Sequence, residues 1–318
     1  MNKGQRQHFV PEVYLKNFCF DEIGNLFELK VKENFGKLNI KVKNKSQICY
    51  ALDNYKVSDP DLAKKSFDND QNFIENEMFK YENEFISWIS KKVNNQDDLN
   101  KNDITKLVRV LLSFKHRNVN LKKTFQGSKI MGKQIEKSIK DMKVNTLSYR
   151  EVNPELYKEL IRQLEIGLRD NYQNKSYMSD LYLSQLKRSE ERSNPNHERL
   201  VSYLSSSKLT VLNSTDDIPF ISSDNPGFSL HPGGLVEHLY FGTAVSFSFP
   251  LTKNRFLHFD LSLKNDGKKL QYKNVSASII DQFNRRTIEM SEKRIFSDSK
   301  KYLEYVLKKF NFQIMDFT

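Results

Sequence analysis

Apolar and polar positions follow two different rhythms along this chain. Strict alternation over residues 25–32 and 37–43 predicts two half-buried antiparallel strands with basic exposed faces. Between residues 73 and 205, apolar side chains recur at intervals of three and four, the spacing of amphipathic helices. Beyond residue 206, short apolar runs between turn signals predict further strands and two closing helices. Strands at both ends of the chain and helices in the middle are therefore expected.

The clearest helical stripe runs over residues 73–92 and carries two acidic residues on one flank. Its apolar positions are Ile74, Met78, Tyr81, Phe85, Trp88 and Ile89. At about 100° per residue, Glu75 and Glu82 lie two turns apart beside this stripe. Each is either an ordinary charge on the helix flank or a carboxylate directed into a cleft.

A second helix is predicted over residues 103–123, and its far end is rich in polar side chains. These are Lys115, His116, Arg117 and Asn118. Cations at one helix end suit an anion, and the planar guanidinium of Arg117 suits bidentate recognition of phosphate or carboxylate. This end of the helix is therefore a candidate anion site.

Residues 220–226, with the sequence Phe-Ile-Ser-Ser-Asp-Asn-Pro, form the most distinctive stretch of the chain. A buried strand that stops so abruptly would deliver Ser223, Asp224 and Asn225 to the edge of a sheet, where ligand and catalytic groups are common. The alternative is that Asp224 and Asn225 only build the turn before the proline. Both interpretations stay open at the level of sequence.

His8 lies just ahead of a short helix that Pro11 is expected to open. An imidazole at this place is a candidate general base or metal ligand. The alternative is a histidine that is hydrogen-bonded to the backbone beside a helix start.

The chain carries 51 Lys and Arg against 40 Asp and Glu, a net charge of +11 over 318 residues. Such an excess favours polyanionic partners, and nucleic acid is the first to consider. It is also what a Lys- and Asn-rich background composition would produce. Charge alone therefore leaves both explanations standing.

Cysteine usage and apolar run length indicate the cellular context. Cys19 and Cys49 form neither a disulfide framework nor a metal-binding spacing. The first residues have no apolar segment typical of a secretory signal, and no apolar run approaches the roughly 18 residues that span a membrane. A cytoplasmic protein without a membrane partner is expected.

Several short motifs follow one another in a definite order along the chain. They are Gln7-His8-Phe9-Val10-Pro11, Ile74-Glu75 followed by Glu82, Arg117 at a helix end, Ser223-Asp224-Asn225-Pro226, Phe249-Pro250-Leu251-Thr252, and Asn284 followed by Arg294-Ile295-Phe296-Ser297. In this order the chain resembles the bacterial "domain of unknown function 4238" family, from about residue 5 to residue 297. One departure is that Asn118-Val119 follows Arg117, where many relatives have Thr-Pro. The end of that helix and the direction of Arg117 are thus not fixed by the resemblance.

The resemblance implies that residues far apart in sequence belong to one site. The set is His8, Glu82, Arg117, Asp224, Asn225 and Asn284. Polar side chains recruited from distant segments are typical of a site built on a folded scaffold. The name of the family implies no activity.

The expected fold is one α+β domain over residues 1–318. A modest, mainly antiparallel sheet would come from the N- and C-terminal thirds, with a helical bundle inserted between them. Its parts are an N-terminal helix and β-hairpin (residues 1–58), a helical region (73–205) and a C-terminal α/β part (206–318).

Two functions of different classes are expected. The first is a hydrolase of nucleic acid or a nucleotide, nuclease-like, in bacterial stress or phage defence. Its catalytic residues would be His8, Glu82 and Asp224, the two carboxylates holding a divalent cation such as Mg²⁺. Its binding residues would be Arg117, Ser223, Asn225 and Asn284. The second is a non-catalytic binder of nucleic acid or an anionic ligand, or a toxin-like interaction protein.

Overall fold

The computed structural model describes residues 4–31, 40–79, 82–118, 122, 136–137, 139–141, 143–144, 154–190, 194–214, 218–238, 241–265 and 270–310. The chain falls into two compact units. The first consists of Met1–Asn54, Phe79–Asn118 and Glu190–Thr318, and the second of Tyr55–Met78 and Val119–Ser189. All seven residues of the predicted site belong to the first unit. The expectation of a single domain over residues 1–318 stays a prediction.

The described strands all lie in the first unit. They are β1 (Arg6–His8), β2 (Asn25–Lys30), β3 (Ile40–Asn44), β4 (Tyr50–Leu52), β5 (Ser207–Ser214), β6 (Ser222–Ser223), β7 (Phe228–Leu230), β8 (Val236–Glu237), β9 (Ser246–Thr252), β10 (Arg255–Lys264), β11 (Gln271–Val275) and β12 (Arg294–Ser297). They form a pair β1-β4, a six-stranded sheet in the order β11-β5-β10-β9-β7-β8, and a four-stranded sheet in the order β3-β2-β12-β6. Neighbours are antiparallel except β11 and β5.

The described α-helices are divided between the two units. They are α1 (Glu12–Leu15), α2 (Pro60–Ser66), α3 (Glu82–Asn94), α4 (Lys101–His116), α5 (Pro154–Gln173), α6 (Lys175–Glu190), α7 (Pro195–Ser205), α8 (Ala277–Met290) and α9 (Lys300–Lys309). Helices α2 and α5, and α6 up to Ser189, belong to the second unit, together with a π-helix at Ile74–Met78. Among the described residues, no helix has both the length and the apolar character needed to cross a membrane.

The predicted α+β fold is confirmed, and both ends of the chain meet in the four-stranded sheet. In that sheet β12 pairs with β2 on one side and with β6 on the other, so that Phe296 lies opposite Glu28 and Ser222. The described strands form three sheets, whereas a single modest sheet was expected. Alternation along a strand shows that it has one buried face, but not which distant strand it will pair with.

The long helix predicted over residues 73–92 is divided. A π-helix covers Ile74–Met78, and α3 runs from Glu82. The helix predicted over residues 103–123 ends at His116, and Arg117 caps it with φ −87° and ψ 8°. The helix therefore stops at Arg117 although no Thr-Pro follows. Side chains at its last turn are thereby held at a defined place.

The four-stranded sheet is buried on both faces near its middle. On one face Leu29 and Ile295 pack with Leu303 of α9. On the other face Leu26 and Phe296 join the main core of the unit, which includes residues of α4 and of the six-stranded sheet. Because β2 and β12 alternate in this way, each face can be assigned to its neighbours.

The second unit has a polar anchor of its own. Both oxygens of the buried Asp180 carboxylate accept backbone N–H groups, from Ser58 at 2.7 Å and Asp59 at 2.9 Å. The side chain of Asp59 in turn caps the start of α2. These contacts hold α6 against the entry to α2.

Candidate functional site

Glu82 and Arg117 form a buried ion pair between α3 and the end of α4. The Arg117 Nη2 lies 2.5 Å from Glu82 Oε2, and both side chains are 2% exposed. The other carboxylate oxygen accepts a hydrogen bond from the Ser113 hydroxyl, one turn earlier in α4. The Arg117 guanidinium also stacks on Phe79, 4.2 Å from the ring centroid, and on Phe114, at 4.9 Å. Its charge is thus compensated inside the protein.

Asp224 binds the backbone of the turn that leads into β12. Its Oδ1 accepts from the N–H of Glu292 at 2.8 Å, and its Oδ2 from Lys293 at 2.9 Å and Arg294 at 3.2 Å. The Asp224 N–H donates to the Arg294 carbonyl at 3.1 Å. Burial raises the pKa of Asp224 to about 7, although the hydrogen bonds from Glu292 and Lys293 act in the opposite direction. Both carboxylate oxygens are engaged.

Asn225 is held between α4 and the end of α8. Its Oδ1 accepts from the Lys115 ammonium at 3.0 Å, and its Nδ2 donates to the Met290 carbonyl at 2.9 Å. The Asn225 N–H donates to the Ser223 hydroxyl at 3.2 Å, which makes a local turn. Two positions later Gly227 has φ +79°, and a Cβ there would lie 2.5 Å from the Phe249 ring. Only glycine fits at that position.

The Lys115 ammonium is completely buried and has three acceptors for its three hydrogens. They are Asn225 Oδ1, the Gly227 carbonyl and His238 Nδ1, the last at 3.1 Å. His238 Nε2 donates back to the Lys115 carbonyl at 3.0 Å, which fixes the neutral tautomer with an open Nδ1 lone pair. Burial and the adjacent ammonium lower the pKa of His238 to about 2. Burial lowers the pKa of Lys115 too, but this network accommodates its charged form.

Ser222 and Ser223 complete the stretch as β6. The Tyr14 hydroxyl donates to the Pro250 carbonyl at 2.7 Å and lies 2.8 Å from the Ser222 Oγ. All three side chains, Tyr14, Ser222 and Ser223, have no exposed surface. The hydroxyl of Tyr14 therefore links α1 to both β6 and β9.

Asn284 of α8 pairs with backbone as a neighbouring strand would. Its Oδ1 accepts from the Ile221 N–H at 3.0 Å, and its Nδ2 donates to the Pro219 carbonyl at 2.9 Å and to the Tyr302 hydroxyl at 2.8 Å. Tyr302 donates onward to Asp281 at 2.8 Å. Asn284 thus holds residues 219–221, directly before β6.

His8 is the most exposed of the predicted catalytic residues, with 15% of its side chain accessible. Its Nε2 lies 3.5 Å from Glu12 Oε1, and its ring lies 5.7 Å from that of Tyr50. Burial lowers the pKa of His8, and the Glu12 carboxylate partly counteracts this. No hydrogen bond or ion pair joins the described His8 to Glu82 or to Asp224.

The structure therefore arranges the predicted residues around one segment, residues 219–227. Asn284 holds its start, Asp224 binds it to the turn before β12, and Lys115 holds its end. Glu82 and Arg117 lie at the same end of α4 as Lys115, but they pair with each other. His8 contacts Glu12 and Tyr50.

A divalent cation was expected at Asp224 and Glu82, and the donor set does not fit one. Within the described ranges, no three His, Cys, Asp or Glu side chains are grouped so that they could hold a metal ion. The oxygens of Asp224 accept three backbone N–H groups, and those of Glu82 face Arg117 and Ser113. A cation would have to displace these donors.

The chain matches the family described as "Protein of unknown function (DUF4238)" over residues 6–301. The protein belongs to this family. Neither the curated proteins nor the solved structures provide a match. All the ordered motifs lie within the matched span, and they include Glu82, Arg117, Asp224, Asn225 and Asn284 of the buried network.

Lys115 is the residue whose role the sequence analysis missed, since it was grouped with cations that could hold an anion. The sequence nevertheless contains a signal for the burial of Lys115. Lys115 lies seven residues after Val108 and four after Leu111, so it continues the buried stripe of α4. A lysine on an apolar stripe predicts a buried amine with internal acceptors.

Proposed function

We propose that the protein binds nucleic acid through its positively charged surface, and that Glu82, Arg117 and Asp224 of the predicted site hold the first unit together. The proposal rests on a contrast between the buried charges of the predicted site and the exposed charges of the rest of the protein. Glu82, Arg117 and Asp224 are at most 5% exposed and have partners inside the unit. The net charge of +11 must then be displayed largely by other residues, and exposed lysines such as Lys41 and Lys301 are among them.

A hydrolytic centre needs groups that can change their partners during the reaction. Asp224 could bind a metal only by giving up backbone hydrogen bonds, and Arg117 could hold a phosphate only by leaving Glu82. Each change would leave a buried group unsatisfied, which is costly. Surface cations carry no such cost, because phosphate contacts release condensed counterions.

The hydrolase hypothesis is the second candidate, and His8 is the observation that favours it. The ring is partly accessible, and its lowered pKa leaves it neutral near neutral pH, the form a general base requires. Such an enzyme would place its chemistry beside β1 and Tyr50.

A single titration series separates the two candidates. A short fluorescein-labelled single-stranded oligonucleotide is titrated with the protein at salt concentrations between about 50 and 200 mM, followed by anisotropy. The same mixtures, with and without Mg²⁺, are analysed on a denaturing gel. The wild type and His8→Gln are compared.

Binding that weakens steeply with salt, with an intact oligonucleotide in every lane, is the expected result. Cleavage by the wild type that His8→Gln abolishes, with binding retained, would establish the hydrolase instead. Absence of binding at the lowest salt would overturn the proposed function.

A further inference from the structure

We infer, on the basis of the proposed function, that part of one face of the six-stranded sheet binds a single nucleic-acid strand. Lysines on this face would contact phosphates, and one histidine ring would contact a base. The surface belongs to β11, β5 and β10 and lies beside α8, and it is called the open half of the sheet below. Its side chains are Lys208, Thr210, His258, Asp260, Gln271 and Lys273.

The register of the sheet places these side chains on one face. Thr210 of β5 lies opposite His258 of β10 and, on its other flank, opposite Gln271 of β11. Two residues earlier on β5, Lys208 lies opposite Asp260. Residues that lie opposite each other, or two apart on one strand, project from the same face of a sheet.

The residues between them project from the opposite face. Leu209 and Val211 of β5 and Phe259 of β10 belong to the main core of the unit. Lys273 is two residues beyond Gln271, so it projects from the face of Gln271 and not towards this core. The main core therefore lies beneath the open half and does not cover it.

Helix α8 covers the other part of the same face. Phe228, Phe256 and Val275 pack there with Ile280 of α8. Ser248 of β9 is buried on that part as well, opposite Phe228. The cover ends short of the open half, because Gln271 and Lys273 are exposed and the side chains of β5 and β10 in the open half are half-buried.

The charges of the open half suit a polyanion. Neither Lys208 nor Lys273 forms an ion pair with a residue in the described ranges. The acid of this surface is Asp260, whose Oδ1 accepts the Ser262 N–H at 3.0 Å and the Ser262 hydroxyl at 2.6 Å. Two cations are thus present for one carboxylate, and that carboxylate already has donors of its own.

The two lysines are far enough apart to contact different phosphates of one strand. Lys273 lies opposite Leu212, four residues beyond Lys208 on β5. At roughly 3.3 Å per residue, the two positions are separated by about 13 Å along the strands.

His258 supplies an aromatic ring between these two positions. Its Nδ1 lies 2.9 Å from the Ser248 hydroxyl, and its ring is nearly perpendicular to that of Phe283, at 84° with centroids 5.8 Å apart. Burial lowers the pKa of His258, and the Asp260 carboxylate partly counteracts this, so that the ring is neutral near pH 7. A ring held in this way is a platform on which an unpaired base can stack.

Solvation is the alternative role for these polar side chains. An antiparallel sheet commonly turns a polar face to water where no helix covers it. That role predicts no specific loss of nucleic-acid binding when the lysines or the ring are replaced.

The first test compares Lys208→Gln/Lys273→Gln with Lys101→Gln/Lys106→Gln in the anisotropy titration. The control lysines are exposed on α4, which packs into the main core on the other side of the sheet. Each single-stranded phosphate contact contributes about 0.7 to the slope of log affinity against log salt. We expect the Lys208/Lys273 variant to bind several-fold more weakly at low salt, with a slope reduced by about 1.4, and the control to keep the wild-type slope.

The second test is His258→Asn, in which the amide oxygen replaces Nδ1 as the partner of Ser248 and the ring is lost. Binding should weaken about five-fold or more with an unchanged salt slope, because stacking is not ionic. Tyr203→Leu, at a 43% exposed ring of α7, is the control and should bind as the wild type does.

Circular dichroism first shows which variants are folded, and the lysine pair carries the test if His258→Asn is not. Equal losses in the two lysine variants would overturn the open half as the binding surface while the proposed function stands. Wild-type affinity in His258→Asn, with duplex competing as well as the unlabelled single strand, would overturn base stacking. Competition by polyglutamate as strong as by the oligonucleotide would indicate an acidic protein partner and overturn the nucleic-acid assignment.

Discussion

At the scale of single residues, two side chains of the predicted site take the place of backbone pairing. Asn284 presents an amide to residues 219–221, and Asp224 presents a carboxylate to three successive N–H groups. Buried backbone groups must find partners, and irregular segments cannot find them in a sheet. Polar residues at these positions therefore have a structural explanation that does not require catalysis.

Replacement of Asp224 by Asn should destabilise the fold by about 1–3 kcal/mol, because an amide NH₂ would meet at least one of the N–H donors. The loss should depend on pH. Asp224 has a pKa of about 7 when folded and an ordinary value near 3.8 when unfolded, so the folded state binds its proton more tightly. Its contribution is then fully present below about pH 4 and is lost as the pH rises through about 7.

Urea denaturation from acid to neutral pH, for the wild type and Asp224→Asn, measures this difference. The wild type should lose stability relative to the variant as the pH rises. Asp260→Asn, at a half-buried aspartate of the same unit, is the control. Parallel curves for the wild type and Asp224→Asn would show that Asp224 does not titrate in this range.

At the scale of elements, one end of α4 organises the first unit. Ser113 and Arg117 bind Glu82 of α3, and Lys115 binds Asn225 and Gly227 beyond β6. Ser113, Lys115 and Arg117 thus connect the end of α4 to α3 and to the segment that follows β6. The helix must end at Arg117 for this arrangement, and it does.

The ion pair between α3 and α4 should behave as a buried pair. Glu82→Gln or Arg117→Met alone should cost about 3–5 kcal/mol. The first substitution leaves the buried guanidinium, and the second the buried carboxylate, without its counter-charge. The double variant should lose less than the sum of the two. Urea denaturation of all four proteins gives the coupling energy.

The pair Arg109–Glu198, which joins α4 to α7, is the matched control. Its contacts are 2.6 and 2.7 Å long, but its side chains are 18% and 35% exposed. Arg109→Met should therefore cost only about 0–1 kcal/mol. Equal losses at Arg109 and Arg117 would contradict the role assigned to burial.

At the scale of the whole molecule, the charges that matter for the proposed function are the surface charges that no opposite charge within the protein neutralises. A net charge of +11 sets up a long-range field that concentrates polyanions near the surface, and salt screens that field. The same excess destabilises the compact state by self-repulsion. A bound polyanion should relieve this repulsion.

Thermal unfolding should therefore shift upward when a single-stranded oligonucleotide is added. A ligand at 100 times its dissociation constant stabilises the folded state by about 2.7 kcal/mol. Differential scanning calorimetry at low and high salt measures the shift, which should disappear at high salt. An unchanged melting temperature at saturating oligonucleotide would contradict binding to the folded protein.

The sequence by itself determined the types and approximate bounds of many helices and strands. It also determined the family to which the protein belongs. Alternation identified β2 and β3, helical spacing identified much of α3 and α4, and the ordered motifs identified the DUF4238 family. These properties repeat within a few residues or in a fixed order, and so they can be recognised without coordinates.

Only the tertiary structure decided what the polar residues do. Asp224 has its partners 68 to 70 residues further along the chain, and Lys115 reaches across 110 residues to Asn225. Local patterns report the period and the buried face of an element, but no local pattern specifies which distant group meets a given side chain. That depends on how the strands of the two ends pair, because β6 and β2 meet only through β12.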